Sequence, residues 1–109
     1  MSFEKANEKN YFKAVFLRQL QKNSRISVRG ISMEPTLYEG DVVNTEICDK
    51  YDIGDIVIAL DDPCRLLIHR IVGIEFSQNG NRIYILKGDN AELCERVPEN
   101  FCLAKVGKI

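Results

Sequence analysis

Six short runs rich in Val, Ile and Leu constrain this fold most strongly, because Gly, Asp and Asn clusters bound them. They are residues 26–29, 41–47, 55–60, 66–76, 82–87 and 102–106. Asp-Asp-Pro at 61–63 and Gln-Asn-Gly-Asn at 78–81 have turn chemistry, and the second is typical of a hairpin. Strands of this length and spacing predict a mainly β protein with a coiled antiparallel sheet or a partly open barrel.

The segment before these runs has a helical pattern. Phe12, Phe16 and Leu20 recur every four residues, which predicts an amphipathic helix over about residues 7–23. We expect this helix to pack on the sheet, since amphipathic helices usually bury their apolar stripe against their own core. Insertion of the stripe into a membrane interface, or coverage of a substrate groove, is the alternative.

The length of the chain indicates a single domain, and its charge bears on the partners it could bind. The 109 residues are expected to divide into an N-terminal helix (1–24) and a β core (25–109). The net charge is −1, which gives no reason to expect a nucleic-acid partner. Residues 1–30, however, have seven Lys or Arg against two Glu. A balance between solvated faces is the favoured interpretation, and docking on a membrane surface or an acidic partner is the alternative.

The sequence also predicts a cytoplasmic protein without a cofactor. It has no apolar run of membrane-spanning length and no apolar segment typical of a secretory signal at its start. Its cysteines form no Cys-x-x-Cys pair and it has one histidine, so we expect reduced thiols and no metal site. The cysteines are Cys48, Cys64, Cys94 and Cys102.

Residues 28–43 contain a candidate nucleophile. Pro35 disfavours a helix here, so Ser32 is expected on a tight loop between two strands. Gly30 allows another backbone or a ligand to approach closely. A hydroxyl held on such a bend can act as a nucleophile if a base lies within reach.

Several motifs resemble one enzyme superfamily. Residues 30–37 (Gly-Ile-Ser-Met-Glu-Pro-Thr-Leu) resemble the nucleophile region of type I signal peptidases and LexA-like serine peptidases. Residues 54–57 (Gly-Asp-Ile-Val), 69–73 (His-Arg-Ile-Val-Gly) and 87–91 (Lys-Gly-Asp-Asn-Ala) are similar to later motifs, in the same order. The His-Arg pair resembles the endoplasmic-reticulum type, which uses a histidine base. This chain looks like a short stand-alone member without that family's membrane anchor.

The resemblance implies a sheet of the signal peptidase–LexA type and a catalytic set of Ser32, His69 and Asp89. Ser32 is then the nucleophile, His69 the general base and Asp89 the group that orients the imidazole. A lone histidine on an apolar strand is more often a core residue, so the assignment of His69 depends on the resemblance. An imidazole of ordinary pKa, about 6.5, is mostly neutral at pH 7 and suits a base.

Other roles for the acidic residues remain open. Asp89 could instead form a salt bridge with Arg70, and Glu92 or Glu95 could orient His69 in its place. For the oxyanion, some relatives use a serine where this chain has Gly30. The backbone N–H of Ser32 is therefore the expected donor.

The predicted function is that of a serine endopeptidase. It would cleave an extended leader, signal or precursor peptide paired along a sheet edge, with Gly30, Met33 and Pro35 as substrate-binding residues. Met33 could equally be a core residue. A self-cleaving LexA-type regulator is one alternative, although few residues precede Ser24 for a DNA-binding domain. A catalytically idle peptide-binding module of the same fold is another.

Overall fold

The computed structural model of the protein describes residues 2–107, and the side chains of residues 8–107. One helix precedes a series of strands and a 3₁₀ turn. Helix α1 is Ser2–Lys22, the strands are β1 Arg25–Ser27, β2 Val42–Glu46, β3 Ile56–Asp61, β4 Arg65–Phe76, β5 Arg82–Lys87, β6 Cys94–Pro98 and β7 Cys102–Val106, and the 3₁₀ turn is Glu99–Phe101.

The described strands form a seven-stranded sheet in the order β1-β2-β7-β3-β4-β5-β6. Every pair of neighbours is antiparallel. The prediction of a mainly β protein with an antiparallel sheet and one N-terminal helix is confirmed. The sheet is open and not closed into a barrel, since β1 and β6 form its two edges.

Strand β6 was absent from the predicted strands. Its sequence, Cys-Glu-Arg-Val-Pro, has one buried residue, Val97, and therefore no run of apolar residues to reveal it. Pro98 also argues against a strand, because proline donates no ladder hydrogen bond. An edge strand tolerates such a residue, and β6 lies at the edge beside β5.

Helix α1 packs on the sheet, as expected from its apolar stripe. Leu20 is buried against Ile58, Leu103 and Ala104, with Phe16 half-buried beside them. In residues 2–107, no helix has the length and apolar character needed to cross a membrane.

The opposite face of the sheet carries the larger hydrophobic cluster. Ile71, Tyr84, Leu86 and Val97 are buried in it, from β4, β5 and β6. Strand β4 therefore has apolar neighbours on both faces, with Ile68 beneath the helix and Ile71 in the larger cluster. This central strand carries His69.

Candidate active site

Ser32 lies on the turn that joins β1 to β2, where the sequence places it. The next residue, Met33, is 1% exposed, and so is Leu37. Leu37 N–H donates to the Met33 carbonyl at 2.9 Å, which closes the turn. Gly30 has φ +79°, a left-handed conformation that other residues adopt only at a cost. These features hold the half-buried Ser32 side chain in a fixed position.

The segment between β5 and β6 contacts the backbone of this turn. Asn90 N–H donates to the Ser32 carbonyl at 2.8 Å, and its side-chain amide donates to the Ile31 carbonyl at 3.1 Å. Gly88 packs so closely that a Cβ at this position would lie 2.6 Å from the Ser32 carbonyl oxygen. The Gly-Asp-Asn motif thus positions the serine through its backbone.

His69 points away from solvent on β4 and binds a carboxylate. It is 7% exposed, and its Nδ1 lies 2.6 Å from Oε1 of Glu95 on β6. Both side chains are largely buried, at 9% and 14% exposure. An ionised carboxylate only accepts hydrogen bonds, so this contact assigns the hydrogen to Nδ1 and leaves Nε2 as the proton acceptor.

Asp89 binds Arg70 and not His69. Arg70 Nε and Nη2 donate to the two Asp89 oxygens at 2.9 and 2.8 Å, and the Thr36 hydroxyl also donates to this carboxylate. Arg70 follows His69 on β4, so the two side chains point to opposite faces of the strand. The expected contact between Asp89 and His69 is therefore corrected: Asp89 has the alternative role considered above, and Glu95 takes its place beside the imidazole.

The ion pair between Asp89 and Arg70 joins three parts of the site. Arg70 Nη1 also donates to the Gly54 carbonyl at 2.8 Å, and Asp89 N–H contacts the Met33 sulfur at 3.4 Å. A guanidinium matches a carboxylate through two parallel hydrogen bonds, so this geometry is stronger than a single contact. The pair fixes β4 relative to the turn that carries Ser32.

Replacing Asp89 by asparagine is expected to lower the free energy of unfolding at neutral pH. Its hydrogen bond with Arg70, aided by that of Thr36, lowers the Asp89 pKa from 3.8 to about 2. Because the folded-state pKa is depressed, the stabilisation is complete above about pH 4 and is lost as the pH falls toward 2. It amounts to about 2 kcal/mol. Urea unfolding of both proteins over this pH range measures it.

Asp49→Asn is the matched control, since Asp49 is exposed between β2 and β3 and forms no side-chain hydrogen bond or ion pair in the described part of the chain. Its stability should follow the wild type at every pH. The deficit of Asp89→Asn should shrink between about pH 4 and pH 2. A deficit of constant size over that range would contradict the prediction.

Ser32 and His69 line the same cavity, of about 1010 Å³. Residues 25–29 form one wall and residues 65–69 another, and Phe16 and Leu20 of α1 also line it. Beyond its pairing with β3, β4 pairs with β5 only from Arg70 onward. The cavity therefore lies between two strand edges that have no β-sheet neighbour on that side.

Backbone hydrogen-bonding groups on the β1 wall face this cavity. Thr45 N–H donates to the Ser24 carbonyl, and Val28 N–H donates to the Asp41 carbonyl, at 2.7 and 2.8 Å. Along an antiparallel ladder, residue pairs that exchange hydrogen bonds alternate with pairs whose N–H and C=O groups point away from the partner strand. The N–H and C=O groups of Ser27 and the C=O group of Arg25 therefore point away from β2, into the cavity, whereas the Arg25 N–H donates to the Asn23 side chain at 3.1 Å.

The β4 wall follows the same rule. Ile71 exchanges hydrogen bonds with the chain before β3, donating to the Asp55 carbonyl and accepting from the Gly54 N–H, each at 2.8 Å. The backbone N–H and C=O groups of Leu66 and Ile68 consequently point away from β3. Both walls thus present unpaired backbone groups to the space between them.

The predicted substrate-binding residues are only partly at this cavity. Met33 lines it and is also buried in a core cluster. Gly30 and Pro35 are not among the residues that line it. Among the hydrogen bonds of residues 2–107, Ser32 N–H donates to no acceptor, as an oxyanion donor requires. Within that range no cluster of three or more potential metal ligands forms.

The helix contribution to the cavity was the least predictable part of the site. Phe16 and Leu20 pack on the sheet and line the cavity at once. Their four-residue spacing predicted a buried stripe but gave no position for it. Leu66, which lines the β4 wall and is 43% exposed, carried no signal beyond that of an ordinary strand residue.

Comparison with known protein families, curated proteins and solved structures finds no match to this chain. Its function is therefore inferred from its own residues.

Proposed function

We propose that this chain is a serine endopeptidase of the signal peptidase–LexA type. Ser32 is the nucleophile, His69 the general base and Glu95 the residue that positions His69. One observation carries the proposal. Ser32 lines the same cavity as an imidazole whose Nδ1 is bound by a buried carboxylate, and that arrangement leaves the other ring nitrogen free to accept a proton.

The chemistry follows from these positions. His69 Nε2 takes the proton from the Ser32 hydroxyl as Oγ attacks the peptide carbonyl, and Glu95 stabilises the resulting imidazolium. The unpaired N–H of Ser32 donates to the oxyanion. His69 then protonates the leaving amine, whose C–N bond breaks, and a water molecule hydrolyses the acyl-enzyme by the same steps.

The two unpaired strand edges suit an extended peptide. A substrate strand between β1 and the first half of β4 would receive hydrogen bonds from both sides, which gives affinity without requiring particular side chains. Ser32 follows the C-terminal end of the β1 wall, and His69 is the C-terminal residue of the β4 wall. A peptide bound between the walls therefore passes between these two residues. A leader, signal or precursor peptide in extended form is the proposed substrate.

The arrangement of the motifs supports the proposed superfamily. Four segments that resemble it are distant in sequence and meet in space. Asn90 binds the backbone of Ser32, Arg70 binds Asp89, and Arg70 also binds the Gly54 carbonyl.

The test is mass spectrometry of a mixed peptide library after incubation with the purified protein. Wild type should cleave a subset of peptides, whereas Ser32→Ala and His69→Ala should cleave none above background. Ser27→Ala is the matched control, because Ser27 also lines the cavity and lies on β1 rather than on the turn. Cleavage that persists in Ser32→Ala would end the proposal, and an idle peptide-binding module would show no cleavage by wild type.

A further inference from the structure

Side chains along the β1 wall alternate between two environments. Those of Arg25, Ser27 and Arg29 are exposed, whereas Ile26 is half-buried and Val28 is 3% exposed. All of them line the cavity. In the described part of the chain, neither the Arg25 nor the Arg29 guanidinium forms a hydrogen bond or an ion pair. The wall thus presents two unneutralised cations on one face.

The other face of the cavity is apolar. Ile26 on β1 and Ile68 on β4 pack with Leu20 and Phe16 of α1, against Ile58. All five line the cavity. A strand placed between β1 and β4 would therefore have one face toward apolar side chains of the helix and the other toward Arg25 and Arg29.

We propose that the groove selects an amphipathic extended peptide, in which apolar residues alternate with polar ones and two acidic residues lie four apart. This inference rests on the proposed peptidase function of the same groove. Directly opposed residues of neighbouring strands point to the same face, so acidic side chains opposite Arg25 and Arg29 form cross-strand pairs. The intervening residues then contact the helix.

The spacing of the arginines sets the spacing of the acids. Arg25 and Arg29 are four residues apart along an extended segment, which is about 13 Å at about 3.3 Å per residue. Substrate residues i and i+4 have the same separation and the same face. Since Arg29 precedes Ser32 by three positions, one acid lies near the cleaved bond and the other lies about four residues further away.

Two acidic residues among those described line the groove and oppose this preference, Glu92 and Glu95. Glu92 lines the cavity and is exposed, whereas Glu95 is bound to His69. Arg65, at the start of β4, lines the cavity as a further cation and binds Asp61 at 3.1 Å. Cations therefore outnumber anions along the two edges, which favours an acidic peptide over a basic one.

Fluorescence anisotropy with Ser32→Ala protein tests the inference without cleavage. The probe is a labelled peptide of Leu and Val alternating with Ser, in which two polar positions four apart carry Glu, Gln or Lys. The Glu peptide should bind about tenfold more tightly than the Gln peptide at low salt, and the Lys peptide more weakly than either. High salt should reduce the difference, since the arginines are exposed.

Charge reversal at the wall provides the decisive comparison. Arg25→Glu with Arg29→Glu, in the same Ser32→Ala background, should invert the order so that the Lys peptide binds best. Arg18→Glu is the matched control, because Arg18 is exposed on α1 and does not line the cavity. Equal affinity for the three peptides, an unchanged order after charge reversal, or no binding of any peptide would overturn the inference.

The result separates this inference from the proposed function. Charge-selective binding with no cleavage by wild type would uphold the inference and contradict the peptidase. Cleavage by wild type without preference for acidic peptides would do the opposite. In a competition experiment, anionic vesicles could displace the labelled Glu peptide while the same peptide without label does not. That result would assign the arginines to a membrane surface and overturn the inference.

Discussion

Replacing Glu95 by glutamine is expected to lower the rate of peptide cleavage about a thousandfold, with little change in KM. The carboxylate of Glu95 lies 2.6 Å from His69 Nδ1, so it holds the hydrogen on that nitrogen. A glutamine side chain could donate to Nδ1 instead, which would move the hydrogen to Nε2 and remove the base. In serine proteases of the triad type, the equivalent loss is about 10⁴-fold in kcat.

The control for this variant is Glu92→Gln. Glu92 lines the same cavity and has the same charge, but it is exposed and does not contact His69. Its kcat should remain within about threefold of wild type, since only the electrostatic field of the groove changes. Steady-state kinetics on one peptide from the library measures both variants. Equal losses in the two variants would show that Glu95 acts through charge alone.

A direct comparison with Asp89 tests the corrected assignment. Asp89→Asn should lower stability more than chemistry, because Asp89 contacts Arg70 and Thr36 rather than the imidazole. At a temperature where all variants are folded, its kcat should exceed that of Glu95→Gln by at least about tenfold. A lower kcat in Asp89→Asn would return the orienting role to Asp89.

Gly88→Ala is expected to lower activity about a hundredfold and to destabilise the fold by about 1–3 kcal/mol. The added Cβ would lie 2.6 Å from the Ser32 carbonyl oxygen and 3.1 Å from both the Ser32 Cβ and the Ala91 Cβ. The first of these atoms belongs to a backbone held by Asn90, so it cannot rotate away as a flexible side chain would. The turn must move, and Ser32 moves with it.

Gly73→Ala is the matched control for this substitution. Unlike Gly88, it lies within a strand, β4, and an added Cβ would meet Ile85 at 3.4 Å, an ordinary van der Waals contact. Its activity should equal that of wild type, and its stability should change by less than about 1 kcal/mol. Thermal unfolding and peptide cleavage, measured in parallel, separate the two variants. Wild-type kcat in Gly88→Ala would show that the site tolerates displacement of the turn.

Local patterns in the sequence were sufficient for much of this fold. Apolar runs bounded by Gly, Asp and Asn identified six of the seven described strands, and the four-residue spacing of Phe12, Phe16 and Leu20 identified the helix. Pro35 and its neighbours placed Ser32 on a turn. Each of these features depends on residues within a few positions of each other, where backbone preference and side-chain periodicity act directly.

The carboxylate partner of His69 was decided only by tertiary structure. Three candidates, Asp89, Glu92 and Glu95, fall within seven residues of sequence, and no local rule separates them. The register of β5 with β6, which pairs Leu86 with Glu95, belongs to a strand with no periodic signal of its own. The groove, too, was decided only by tertiary structure. Its two free edges exist because β5 pairs with β4 only from Arg70 onward and β1 ends the sheet, and such pairings join residues far apart in the chain.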